Sequence, residues 1–153
     1  MNPFPHQYDA GAAGGPAGPV RVSAAGRPDL DTDAPPEFGG PEGYWSPEHL
    51  FVASIADCFI LSFRAVARAS RLEWAELSCA VEATLERVDK VTRFTAVTLR
   101  PVLRLHAGQE TDRAERCLNK AKEVCLITNS LNAEVTLQPS VKASDERLSA
   151  SAG

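Results

Sequence analysis

The sequence predicts an α+β fold, and three observations carry that prediction. A helix-like segment opens at Ser46-Pro47-Glu48 and stays apolar as far as Phe63, two period-two runs flank Asp89-Lys90, and a helical pattern that is half charged begins near Asp112. Strands at both ends and in the middle, one buried helix and one half-exposed helix lying on a sheet follow from these patterns. With 153 residues and 44% apolar content, the chain can bury one core, so residues 1–142 are expected to form a single domain.

Residues 9–19, rich in Gly and Ala, read as a loosely patterned edge strand that leads into residues 20–24. There Val20, Val22 and Ala24 alternate with Arg21 and Ser23, which predicts an N-terminal hairpin. Residues 26–44 hold four prolines and four glycines among several acids and read as a long irregular loop. A loop of that length in a small domain is usually functional or disordered.

Ser46 suits a helix cap. Pro47 fits the first helical position, where its missing N–H costs nothing, and Glu48 lies in the first turn, where the helix dipole favours an acid. The helix should run to about Ser70. Phe51, Ile55, Phe59, Ile60 and Phe63 spread over its circumference, so other structure should enclose it, and one small subunit would not cover it completely.

Leu77, Cys79, Val81, Ala83 and Leu85 alternate with polar and small residues. Beyond the turn at Asp89-Lys90, Val97, Leu99, Leu103 and Leu105 do the same, giving a long antiparallel hairpin with one packed face. Ala114, Cys117, Leu118, Ala121 and Cys125 keep helical spacing against seven charged neighbours, so Cys125 points inward from an amphipathic helix. Residues 134–141 read as a closing strand, and the small, polar residues 143–153 as a frayed C-terminal tail.

A net charge of −4 with scattered basic residues excludes a nucleic-acid role. The N-terminus has neither a basic start nor an apolar signal region. The apolar run 50–63 contains Asp57 and is too short to span a bilayer, so a cytoplasmic protein with no membrane partner is expected. Four cysteines without a CxxC pair argue against a zinc ribbon and, in such a chain, against a disulfide framework. What remains is either buried thiols or a catalytic pair.

Cys58 lies deep in the apolar helix. Burial there raises a thiol pKa and leaves the sulfur inert unless a cation or hydrogen-bond donor supports the thiolate. Cys125 closes the amphipathic helix just before Leu126-Ile127-Thr128-Asn129-Ser130, packed yet close to a connection, as a resolving cysteine needs to be. Taken alone, each also fits a small core residue, which free cysteines often are. Cys79 and Cys117 read as structural.

Two stretches carry a family resemblance. Trp45-Ser46-Pro47-Glu48-His49-Leu50-Phe51-Val52-Ala53, followed by Asp57-Cys58-Phe59, resembles the signature of the OsmC/Ohr organic hydroperoxide reductases. In that family a Pro-Glu pair opens the central helix and the peroxidatic cysteine follows about ten residues on. Cys125-Leu126-Ile127-Thr128-Asn129-Ser130-Leu131 is similar to its second cysteine motif, and the likeness extends over about residues 20–141, including Glu37-Phe38-Gly39-Gly40.

The resemblance implies an OsmC-like fold, with strands around paired central helices in an intertwined homodimer. It also implies a thiol peroxidase: Cys58 attacks an alkyl or fatty-acid hydroperoxide and becomes sulfenic acid, and Cys125 condenses with it to a disulfide. An external dithiol, typically a lipoylated protein in this family, then reduces that disulfide, and no metal, flavin or haem is needed. Phe38, Phe51 and Phe59 are candidate lining residues for the substrate, although each also fits ordinary core.

Glu48 matches the family's catalytic glutamate, which orients an arginine that supports the thiolate. Ten helical residues rise about 15 Å, so Glu48 cannot touch Cys58 of the same straight helix, and a second subunit must bring the two together if they serve one site. Without the resemblance, Glu48 reads equally well as an acid that satisfies the helix dipole. The arginine itself is missing: its position falls near Ala17 and Gly18, and residues 1–20 contain none. Arg21 and Arg27 are the neighbouring candidates, Arg21 reading as a solvated strand residue and Arg27 as the head of the loop. His49 could donate a hydrogen bond, although an early-helix His is more often polar surface.

The competing expectation is a non-catalytic dimer of the same fold that binds an apolar small molecule and keeps its thiols as packing. A thiol hydrolase or acyl-transfer enzyme would need a His and an Asn matched to either cysteine, and neither motif supplies them.

Overall fold

Leu30-Asp31-Thr32, inside the proline-rich stretch, forms a strand that the sequence pattern conceals. The computed structural model describes residues 1–143, which divide into two compact units, Met1–Phe51 and the chain from Val52 onward. In the first unit β1 (Gly11–Ala13), β2 (Val20–Ser23) and β3 (Leu30–Thr32) make an antiparallel sheet in the order β1-β2-β3. The expected hairpin is its first two strands, with Ala12 opposite Val22. β3 escapes the period-two test because it has one apolar residue and lies between Pro28 and Pro35.

A single 3-10 turn, Pro36–Phe38, follows, and the chain folds back so closely that a Cβ at Gly40 would lie 1.7 Å from the Ala34 carbonyl oxygen. Only glycine permits that approach. The end of the stretch is tied to the sheet by the Asp33 N–H, which donates to the Trp45 carbonyl at 3.0 Å.

Helix α1 spans Pro47–Ala69. Ser46, 1% exposed, caps it: its Oγ accepts the His49 N–H at 3.1 Å and its carbonyl the Leu50 N–H at 2.9 Å. By length and composition α1 would pass for a membrane-crossing helix. Its buried residues are Ile55, Phe59, Phe63 and Ala67, a single i, i+4 stripe, while Leu61 remains 50% exposed. The incomplete cover expected from the all-round apolar pattern is therefore present.

In the second unit β4 (Glu76–Val88) and β5 (Val91–Leu105) form the long hairpin. Asp89 (φ 50) and Lys90 (φ 68) both take the left-handed conformation that a two-residue primed turn requires. The expected closing strand is split into β6 (Glu134–Leu137) and β7 (Ser140–Ala143), each parallel to β5. The break falls where neither chain can hold a regular ladder, because Pro101 on β5 and Pro139 between the short strands lack N–H groups. Gln138 bridges the gap, donating its N–H to the Leu99 carbonyl at 2.8 Å and accepting from Arg100 Nε at 3.2 Å.

Helix α2 (Thr111–Val124) buries Ala114, Cys117, Leu118 and Ala121, and a one-turn helix α3 (Leu126–Asn129) follows at once. The core collects the α1 stripe, Val97, Leu99, Leu103 and Leu105 of β5, and the inner face of α2. Phe63 meets Trp74 edge-on, with ring centroids 5.3 Å apart. β7 extends through Ala143, and the rest of the expected tail lies outside the described residues.

Candidate active site

Cys58 sits midway along α1, half-buried, one turn before Ser62, whose Oγ lies 3.9 Å from the sulfur. Cys125 has no exposed surface and occupies the extended residue between α2 and α3 (φ −67, ψ 107), so one residue ends one helix and begins the next. The two thiols lie near enough for each to shift the other's pKa. The fold thus joins, within one chain, two thiols separated by 67 positions of sequence.

Their surroundings differ. Burial pushes the Cys58 thiol above its ordinary value and the nearby Cys125 sulfur adds to this, against smaller opposing effects of the Ile127 N–H and the Ser62 hydroxyl. Burial pushes Cys125 upward as well, but hydrogen bonds from Thr128, Cys58 and the Ile127 N–H outweigh it and bring the thiol below its ordinary value. The Thr128 hydroxyl donates to the Cys125 carbonyl at 3.0 Å, so its proton is engaged there and the amides are the steadier support for the sulfur. They act at longer range than a close capping bond, which Cys125 does not make. The spacing is that of an N-cap and its second and third helical residues, with sulfur where Ser or Asp usually stands.

Cys79, on β4, lies near enough to Cys125 to be affected by it. Burial first and that neighbour second push its thiol up to about 11, so it stays protonated at neutral pH. Cys117 is 3% exposed on the inner face of α2. Both positions suit the structural role expected of them.

Glu48 lies in the first unit, in the first turn of α1, and its Oε2 is buried with no hydrogen-bond partner. Neither candidate arginine serves it: Arg21 forms a two-pronged pair with Asp31 (2.9 and 3.2 Å), and Arg27 donates to the Ala25 carbonyl at 2.6 Å. His49 Nδ1 lies 2.7 Å from Ser46 Oγ and belongs to the cap. Asp57 is exposed on α1. Among the described residues no group of three or more His, Cys, Asp or Glu could hold a metal ion.

Of two neighbouring thiols, one can attack the other once that other is oxidised. Residues 39–140, which include both cysteines and Glu48, match the family model described as OsmC-like protein. The chain belongs to the OsmC-like family.

Within that family, an organic hydroperoxide resistance protein OsmC from Legionella pneumophila is 31% identical with a TM-score of 0.71, over 90% of this chain and 97% of the other. An OsmC-like protein of unknown function from Vibrio cholerae superposes with a TM-score of 0.81 at 21% identity, over 88% of this chain and 99% of the other. The uncharacterized protein YmaD of Bacillus subtilis is 28% identical over 117 residues, 73% of this chain and 78% of that protein. The mixed α+β architecture expected from the sequence is that of these OsmC-like structures.

Of the residues around the thiols, Ile127 and Thr128 had no role assigned from the sequence. The available signal was Thr128 three residues after Cys125, the spacing of a capping contact, at the start of a helix too short to register as one.

Proposed function

We propose that the protein is a cysteine-based peroxidase that reduces alkyl or fatty-acid hydroperoxides to alcohols. The nearness of the Cys58 and Cys125 thiols, each of which shifts the other's pKa, carries this reading, supported by OsmC-like membership and by a 31% identical relative named for organic hydroperoxide resistance. Cys58 is the attacker because it is only half-buried, whereas Cys125 has no exposed surface.

Cys58 loses its proton to solvent and attacks as the thiolate, with the Ile127 N–H and the Ser62 hydroxyl, which oppose the rise of its pKa, standing in for the missing arginine. The Cys58 sulfur takes the distal peroxide oxygen, the O–O bond breaks and the alkoxide leaves as alcohol with a solvent proton. Cys125 then attacks the sulfenic acid, a disulfide forms, and hydroxide leaves as water with the Cys125 proton. An external dithiol, with a lipoylated protein as the favoured candidate, restores both thiols and is itself oxidised.

A homodimer completes the reading, covering the exposed apolar side of α1 and giving Glu48 a role beside the partner's thiol pair. Four free cysteines fit a cytoplasmic setting. Turnover of cumene hydroperoxide with dithiothreitol should be lost in Cys58→Ser and should stop after one oxidation in Cys125→Ser. Wild-type turnover no faster than dithiothreitol alone would end the proposal.

The second reading is a non-catalytic OsmC-like dimer that binds an apolar small molecule. It is favoured by the commitment of Arg21 and Arg27 to other partners.

A further inference from the structure

In the second unit a cavity of about 280 Å³ opens between the end of α1 and one face of α2, lined by Val66, Ser70, Arg113, Arg116, Cys117 and Lys120. Its size is close to the lower end of small-molecule sites, about 300 Å³. Three of the six lining residues are cations and none is an acid. Arg113, Arg116 and Lys120 follow at i, i+3 and i+7, so α2 turns all three to one side. Solvent reaches them: Arg116 is exposed, and the side chains of Arg113 and Lys120 are 43% and 59% exposed.

Little else in the chain uses these charges. Arg113 meets Glu110 at 3.6 Å and Lys120 meets Glu123 at 2.9 Å, exposed pairs that are weak in water, and Arg116 has no ion pair among the described residues. The end of α1 does not need them either, because its last carbonyls are already taken. The Ala67 carbonyl accepts the Leu72 N–H at 2.9 Å and the Arg68 carbonyl the Arg71 N–H at 3.2 Å, a Schellman close with Arg71 left-handed (φ 53).

The cavity is separate from the thiols. Val66 and Ser70 lie eight and twelve residues beyond Cys58, and Cys117 and Arg113 lie eight and twelve residues before Cys125. The two helices therefore run antiparallel, with the thiols at one place on their seam and the cavity about 12–18 Å further along it.

We infer that this cavity binds a doubly charged oxyanion, inorganic phosphate or the head of a phosphate monoester. Each guanidinium fork can hold two phosphate oxygens through parallel N–H bonds, and Lys120 adds a point charge. The Ser70 hydroxyl is placed to donate to a further oxygen, and Val66 offers apolar surface to the first carbons of an ester. Three cations without a lining acid favour a dianion over a carboxylate or a halide. The site contains no group of the thiol reaction and does not depend on it.

The test is isothermal titration of inorganic phosphate and n-butyl phosphate into the full-length protein at low ionic strength, with butyrate and chloride as singly charged controls. Both phosphates should bind, and the controls should bind about tenfold more weakly or not at all. Tighter binding of n-butyl phosphate assigns the site to an ester, and tighter binding of phosphate assigns it to the free ion; each agrees with the inference. Arg116→Gln, at an exposed and unpaired position, should weaken both phosphates about tenfold. Ser70→Glu should abolish binding by setting a carboxylate among the three cations. Arg93→Gln, an equal loss of charge on β5, should leave binding unchanged. Equal binding of butyrate, binding indifferent to Arg116→Gln, equal weakening by Arg93→Gln, or no binding of either phosphate would each overturn the inference.

Discussion

The Cys58 and Cys125 thiols lie near enough to influence each other and are shifted in opposite directions, Cys58 upward and Cys125 downward. The more accessible sulfur is thus the better-protonated one, and the enclosed sulfur is the readier thiolate. Burial acts against the thiolate at both positions, and what separates them is the support that Thr128 and the neighbouring amides give to the Cys125 sulfur.

The alkylation rate of Cys58 should reflect this arrangement. Its raised pKa means that little thiolate is present at pH 7, so iodoacetamide should label it more slowly than a free cysteine, with the rate climbing as pH passes the ordinary thiol value of 9.0. Cys125→Ala removes a neighbour that raises the Cys58 pKa, so labelling at pH 7–8 should become faster. Mass spectrometry of the labelled peptide against time checks both directions, and a slower rate in the variant would count against the coupling.

Cys79 predicts a fall of stability in alkali. Its thiol titrates at about 11 in the fold against 9.0 for an ordinary thiol, so between those values the unfolded chain loses its proton first. The unfolded state then binds fewer protons and stability declines with rising pH, levelling off above about 11. Urea unfolding in that window should show a shallower decline for Cys79→Val than for the parent chain.

Two substitutions on α1 distinguish its faces. Phe59→Ala deletes a side chain with no exposed surface and should cost about 3–5 kcal/mol in denaturant unfolding. Leu61→Ala removes a side chain that is 50% exposed in the single chain, where a change within about 0.5 kcal/mol would be ordinary. In the proposed homodimer Leu61 is covered, so the expected loss exceeds about 1 kcal/mol and the midpoint depends on protein concentration.

Much of the fold was legible because long elements repeat their pattern. The Ser46 cap, the apolar stripe to Ala67 and the alternation around Asp89-Lys90 each set many residues against one period. The elements that escaped are short. β3 has one apolar residue between prolines, α3 is a single turn, and the division of the last strand depends on Pro101 of a different strand, which local reading of residues 134–141 cannot reveal.

At the candidate site, the two motifs pointed to Cys58 and Cys125 but could not supply their nearness, which depends on how α1 and the α2–α3 junction pack. The unpartnered Oε2 of Glu48 was equally invisible, because burial of one carboxylate oxygen is a property of the folded chain and not of the local sequence. The absence of an arginine near Ala17 was legible from the start.

The most direct measurement is peptide mass spectrometry after the reduced protein has met one equivalent of cumene hydroperoxide, with free thiols alkylated on quenching. The expected result is a Cys58–Cys125 disulfide with Cys79 and Cys117 fully alkylated. Recovery of both Cys58 and Cys125 as alkylated thiols, with the hydroperoxide unconsumed, would contradict the peroxidase mechanism.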